Sequence, residues 1–394
     1  MPLLVWSDDE VALDPAVVGS KFASLATLLR WPPSERPQLL PGAALSTEAW
    51  HLVVEHAGLG GAVRAALAGD AAAADGLCRA LAEVALPEPV DAALRAALAR
   101  WGHAALAVRS SAVAEDLVGR SFAGQYRTCL DVVGVEAVAD AYRSCLASAW
   151  QPAVMAYRRT TSSVPDDPAM AVLLQPMVHD GDGSAGAALS DGAGAVVVEV
   201  VRGWGDALMS GRADPLRWEV APGEQPDAAV AASVVEWVRS AERRTGAPIE
   251  VEFALRRAES VPVVLQLRTH APGSAATLAG PRTWSRGLVN GLAVGRGTVR
   301  GPVCRLDGVH EMDRLVPGGV LVTSTTDPAW VPLMGHAAAV VTDHGGSTSH
   351  AAIVCRELGL LAVVGCGDAT SLLDQGRQVE VRCEGSVGSV VLLS

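Results

Sequence analysis

Towards the end of the chain the sequence reads AAAVVTDHGGSTSHAAIVCRELG, with His350 directly after Thr348 and Ser349. Ser and Thr are residue types that cap helix starts, and apolar positions at helical spacing follow them. The spacing predicts a helix over residues 349–358, closed by Gly359, with His350 in its first turn. The start of a helix presents free N–H groups and partial positive charge, which disfavours imidazolium and favours neutral imidazole, the nucleophilic form. The same N–H groups would steady a phosphoryl group once the ring carried one. Gly345 and Gly346 would let a ligand come close. A histidine at a helix start also often only caps or packs, and that plainer reading stays open on these residues alone.

A second group of residue types suits metal–triphosphate chemistry, which needs cations on phosphates and carboxylate or amide oxygens on Mg²⁺. Its members are Lys21 in VGSKFASL, Arg109 in AVRSSAVAED, Glu250 and Glu252 in IEVEFAL, and Gln266 and Arg268 in VLQLR. In strands, Glu250 and Glu252 share one face, as do Gln266 and Arg268. Two paired strands would therefore bring carboxylates, an amide and a guanidinium around one site. Alternating charge on a strand also describes a solvated face, and each pair alone fits that. Lys21 is the single lysine among 31 Lys and Arg residues. Drift towards arginine would explain it, and so would a site that needs a flexible point charge instead of a planar fork.

These residues need elements to hold them, and the composition sets what those can be. A chain of 394 residues suggests two to three domains. With 50% hydrophobic and 19% charged residues it reads as folded and compact. A net charge of -12 argues against nonspecific nucleic-acid or anionic-membrane binding. There is no apolar run long enough to span a membrane and no basic leader at the start. The 7 cysteines are odd in number, scattered and without CxxC spacing, so a reducing, cytoplasmic setting is expected. Ala/Leu-rich spacing over 46–101 predicts several short helices, and longer ones are expected over 135–159 and 227–244. Strands are expected over 103–111, 170–178, 194–202, 249–255 and 261–268. Residues 271–285 lack periodicity and read as a linker, and short strands with glycine turns follow it to the end of the sequence.

Taken together, the motifs resemble those of the phosphoenolpyruvate-utilising dikinase family, which includes PEP synthase, pyruvate phosphate dikinase and rifampin phosphotransferase. GGSTSHAAIVCRELG resembles the family's phosphohistidine segment, and TTDPAWVPLM its TDPDW segment, with Ala329 replacing an acidic residue. VRSSAVAEDLVGRSFAGQYRT, EVEFA, LQLRT and LQPMV resemble segments of its ATP-grasp domain. RGWGDALMSG resembles the family's GLGExLVSG, with Trp204 and Asp206 as departures.

The resemblance implies an α+β or α/β multidomain chain. An ATP-grasp domain would cover 1–270, a linker 271–289, and a swivelling β/β/α phosphohistidine domain 290–394. It makes His350 the phosphorylated residue and puts Lys21, Arg109, Gly124, Gln125, Glu250, Gln266 and Arg268 around ATP. Glu252 and Gln266 would hold Mg²⁺, and Thr348 matches the position where the family's regulators phosphorylate. The expected activity is an ATP-dependent phosphotransferase that releases AMP and Pi and passes a phosphoryl group through His350. The family's third, TIM-barrel domain does not fit in this length, so the acceptor is expected on a partner subunit. Two alternatives stay open: a stand-alone kinase of a small hydroxylated metabolite or antibiotic, and a non-catalytic nucleotide-binding phosphocarrier or regulatory module. No nucleic-acid or membrane partner is expected, and a homodimer is open.

Overall fold

A computed structural model describes residues 1–113, 116–117, 120–121, 126–152, 154–155, 158, 169–257, 259, 261–269 and 289–393. The chain divides into two compact units. The first is Met1–Asp180 with Val263–Leu267, and the second is Gly181–Pro262 with Arg268–Ser394.

The first unit is built on an antiparallel sheet. Its strands are β1 (Leu4–Trp6), β2 (Ala43–Leu45), β3 (Leu106–Ala112), β6 (Thr128–Val132) and β7 (Met170–Pro176), in the order β1-β2-β7-β3-β6. Between β3 and β6 lies a small hairpin of β4 (Asp116–Leu117) and β5 (Arg120–Ser121). β3 is buried along its length, paired continuously with β7 and, across a register shift, with β6, so what it carries is held from both sides. The Ala/Leu-rich stretch forms the helices Thr47–His56, Gly60–Leu67, Ala71–Glu83 and Glu88–Trp101. The helix expected over 135–159 is described as Val135–Ser148.

The sequence over residues 19–30 reads as a turn followed by a helix, but the helix Pro15–Leu29 begins before that glycine. Asp14 caps it by accepting from the Ala16 N–H, and Gly19 breaks its geometry from within at φ 72°. Residues Val263–Leu267 of β12 (Val263–Thr269) belong to this unit, where the Val264 N–H donates to the Gln38 carbonyl at 2.9 Å.

In the second unit, β8 (Ser184–Ser190), β9 (Val196–Arg202), β10 (Leu216–Val220) and β11 (Ile249–Leu255) pair antiparallel in the order β10-β9-β8-β11. The helix Ala229–Thr245 packs on β8, β9 and β11 and ends at left-handed Gly246.

The remaining strands close into a barrel. They are β13 (Val289–Val294), β14 (Gly297–Arg305), β15 (Val320–Thr323), β16 (Ala339–Thr342), β17 (Leu361–Val364), β18 (Gln378–Glu384) and β19 (Val387–Leu392). Their order is β13-β17-β16-β15-β14-β18-β19, with β13 also paired to β19. Pairs β14–β15, β15–β16 and β16–β17 are parallel, and closure leaves no edge strand. Fully buried Val303, Val320, Val341, Val363, Val381 and Val390 fill the core. β-branched side chains suit this pleated interior. A parallel step from β16 to β17 needs a crossover, and the helix His350–Leu358 supplies it.

This is the mixed α/β, multidomain architecture that the sequence implied. Of the linker expected over 271–289, residues 271–288 lie outside the described residues, and Val289 already opens β13.

Candidate functional site

In the first unit the structure brings together Lys21, Arg109 and Gln266. Gly19 lies against β3 so closely that a Cβ there would stand 1.8 Å from the Ser111 carbonyl oxygen. The Ser111 hydroxyl donates to the Val18 carbonyl at 2.8 Å and accepts from the Phe22 N–H at 3.1 Å. Pinned in this way, the turn delivers Lys21, whose Nζ donates to the Ser110 carbonyl at 3.0 Å. Arg109, on the same strand, donates to the Leu265 carbonyl at 2.9 Å and to Gln266 Oε1 at 3.1 Å. All three side chains are buried, and Gln266 Nε2 has no hydrogen-bond partner. Two buried cations beside an amide with an unspent donor form a site built for a polar, anionic ligand.

Glu250, Glu252 and Arg268 belong to the second unit. Glu250 and Glu252 stand opposite Leu189 and Ala187 on β8. Glu250 is buried, Glu252 half-buried and Arg268 buried, so the solvated-face reading of IEVEFAL and VLQLR does not hold. Gly124 and Gln125 lie outside the described residues. Among the described residues no group of three or more His, Cys, Asp or Glu side chains could hold a metal ion. The pair expected to hold Mg²⁺, Glu252 and Gln266, offers a carboxylate and an amide oxygen. These are hard donors of the kind Mg²⁺ takes alongside phosphate oxygens.

His350 is the first residue of its helix, with Ser349 at the cap position. Its ring is buried, and Nδ1 lies 2.9 Å from the Thr326 hydroxyl. Nε2 is buried without a partner. Burial lowers its pKa from 6.5 to about 4, which keeps the ring neutral. In the tautomer that donates from Nδ1 to Thr326, the Nε2 lone pair is available as a nucleophile. Gly345, at φ 121°, and Gly346 form the turn before the cap. Asp343 ties this turn to the next segment by accepting from the Thr370 N–H at 2.9 Å.

Three residues of this neighbourhood escaped the sequence reading. Thr326 sits in the TTDPAW segment, where the resemblance alone gives that hydroxyl no role. Glu199 is the lone carboxylate in VVVEVVR and is completely buried. It accepts from the Ser347 N–H at 2.8 Å and from the Thr348 hydroxyl at 2.9 Å. Arg217, on β10 directly opposite Glu199, is its ion-pair partner. A charge inside an otherwise all-valine run was the signal, because such a charge must be paired.

Comparison with known proteins places the chain among relatives. Residues 15–232 match the family described as pyruvate phosphate dikinase, AMP/ATP-binding domain, and residues 315–385 match the PEP-utilising enzyme mobile domain. A phosphoenolpyruvate synthase of Pseudomonas aeruginosa is 31% identical over 450 residues, covering 95% of this chain and 56% of the relative. One from Escherichia coli is 32% identical over 342 residues, covering 73% and 43%. A solution structure of Enzyme I shares 32% identity over 20% of this chain and 33% of that one, with a TM-score of 0.18. The chain spans about half the length of the curated relatives it matches. With the AMP/ATP-binding domain and the mobile domain both present in order, the chain belongs to the PEP-utilising dikinase family.

Proposed function

We propose that the chain is an ATP-dependent phosphotransferase that charges His350 from ATP and passes the phosphoryl group to an acceptor bound by a partner subunit. The observation that carries this reading is the state of His350: buried, neutral, held at Nδ1 by Thr326, with an unpartnered Nε2. Nε2 attacks the β-phosphorus of ATP. The bond from that phosphorus to the α-phosphate's bridging oxygen breaks, and AMP leaves with the electron pair. The pyrophosphoryl group on His350 then loses its terminal phosphate to water as Pi, and phospho-His350 remains.

Lys21, Arg109 and Arg268 take the phosphates, with Glu250, Gly124 and Gln125 completing the ATP site. Glu252 and Gln266 would hold Mg²⁺, which when bound supplies positive charge to the phosphate oxygens. The buried cations act where charge develops during transfer and need little reorganisation to do so.

The test is to incubate the protein with ATP and Mg²⁺, then map the modification. An acid-labile, base-stable phosphoryl group on His350, absent in His350→Asn and accompanied by AMP, is expected. Turnover that leaves His350 unmodified at every time point would overturn the reading.

A further inference from the structure

Nothing in the chemistry above uses Glu199, yet it is a fully buried carboxylate with several partners. It lies mid-strand with valines on either side and is fully buried. A buried carboxylate is tolerable only when its lone pairs are filled. Here they are filled from two directions. On the neighbouring strand, Arg217 forms the ion pair, and the same guanidinium also reaches Glu219 at 3.1 Å and the Ser347 hydroxyl. The turn before His350 gives the Ser347 N–H at 2.8 Å, the Thr348 N–H at 3.3 Å and the Thr348 hydroxyl at 2.9 Å.

The turn is shaped to take this carboxylate. A Cβ on Gly346 would lie 2.6 Å from Glu199 Oε2, so a larger residue there would displace the carboxylate. Arg356, nearly two turns into the helix, fixes the far side by donating to the Ser347 carbonyl at 2.8 Å. Two consecutive backbone N–H groups and a hydroxyl facing one anion make a small anion-binding nest. Its occupant comes from a strand about 150 residues earlier in the sequence.

We propose that Glu199 is a positioning residue. Its carboxylate latches the turn carrying His350 onto β9 for the ATP half-reaction and releases it when the mobile domain departs. Release is feasible because Glu199 and Arg217 remain paired with each other on adjacent strands. The vacated N–H groups then return to water. This role rests on the phosphohistidine reading, since it assigns Glu199 to the step in which His350 is charged.

The experiment compares wild type with Glu199→Gln, Glu199→Ala and Glu199→Asp in the full chain, with two readouts. The first is amide hydrogen exchange at Ser347 and Thr348, which needs no turnover. The second is the single-turnover rate of His350 phosphorylation at saturating ATP. Glu199→Gln and Glu199→Ala are expected to speed exchange at these two amides about tenfold and slow phosphorylation about ten- to a hundredfold, with ATP affinity near wild type; the melting temperature falls in both, more in Glu199→Ala, because Arg217 loses its buried partner. Glu199→Asp, with the charge kept, is expected to fall between. Should Glu199→Ala fail to fold, the near-isosteric Glu199→Gln decides. Unchanged exchange overturns the latch whatever the rate does. Faster exchange with an unchanged rate overturns the positioning role. A wild type that never phosphorylates His350 sinks the dikinase reading instead, and exchange alone then decides the latch.

Discussion

The imidazole of His350 carries the account, and its burial makes a pH prediction. Below pH 6.5 the unfolded chain takes up a proton on this ring, while the folded chain refuses it until about pH 4. The stability from burying neutral His350 is therefore present above pH 6.5 and is lost as pH falls to about 4. Its size is about 3 kcal/mol. The stability difference between wild type and His350→Gln, from denaturant midpoints, should shift by that amount between pH 7 and pH 4. A pH-independent difference would contradict the burial argument. Lys21 gives a second prediction at this scale. It is buried with its ammonium on the Ser110 carbonyl, so Lys21→Arg must fit a wider, planar head in the same space. The variant should fold but lose at least about tenfold in ATP-dependent labelling. Near-normal labelling would return the lone lysine to compositional drift.

Among the elements, two features position the chemistry. Gly19 carries a left-handed φ directly against the Ser111 carbonyl, so Gly19→Ala suffers both backbone strain and a clash. A loss of about 3 kcal/mol is expected from denaturant unfolding, because the turn presenting Lys21 cannot shift away from β3. In the barrel, Val341 is fully buried, and Val341→Ala should cost about 2–3 kcal/mol in the same measurement.

The elements also show what was legible beforehand. The strand Ile249–Leu255 and the helix ending at Gly359 follow from local periodicity and end signals, and both are found as expected. The start of the helix Pro15–Leu29 is not legible locally, because a glycine usually marks a boundary, whereas here Asp14 caps earlier and Gly19 is a break inside the helix. Barrel closure was illegible because β13 joins β17 and β19, pairings between residues about 70 to 100 positions apart. No local pattern encodes such partners. Glu199 shows the same limit: its sequence context announces that a partner must exist but not that it lies in the turn before His350.

At the level of the whole molecule, the family's nucleotide-binding and mobile domains are present, and among the described residues no helix is long and apolar enough to cross a membrane. All 7 cysteines are unbridged. The central claim is that His350 attacks the β-phosphorus of ATP, and the fate of a label distinguishes that from ordinary γ-phosphoryl transfer. Wild type and His350→Asn should be given ATP labelled at either the β- or the γ-phosphate, in the absence of acceptor. The account predicts stable label on His350 only from β-labelled ATP, γ-label released as Pi, and AMP as the nucleotide product. Stable γ-label on His350 with ADP as the product would contradict it.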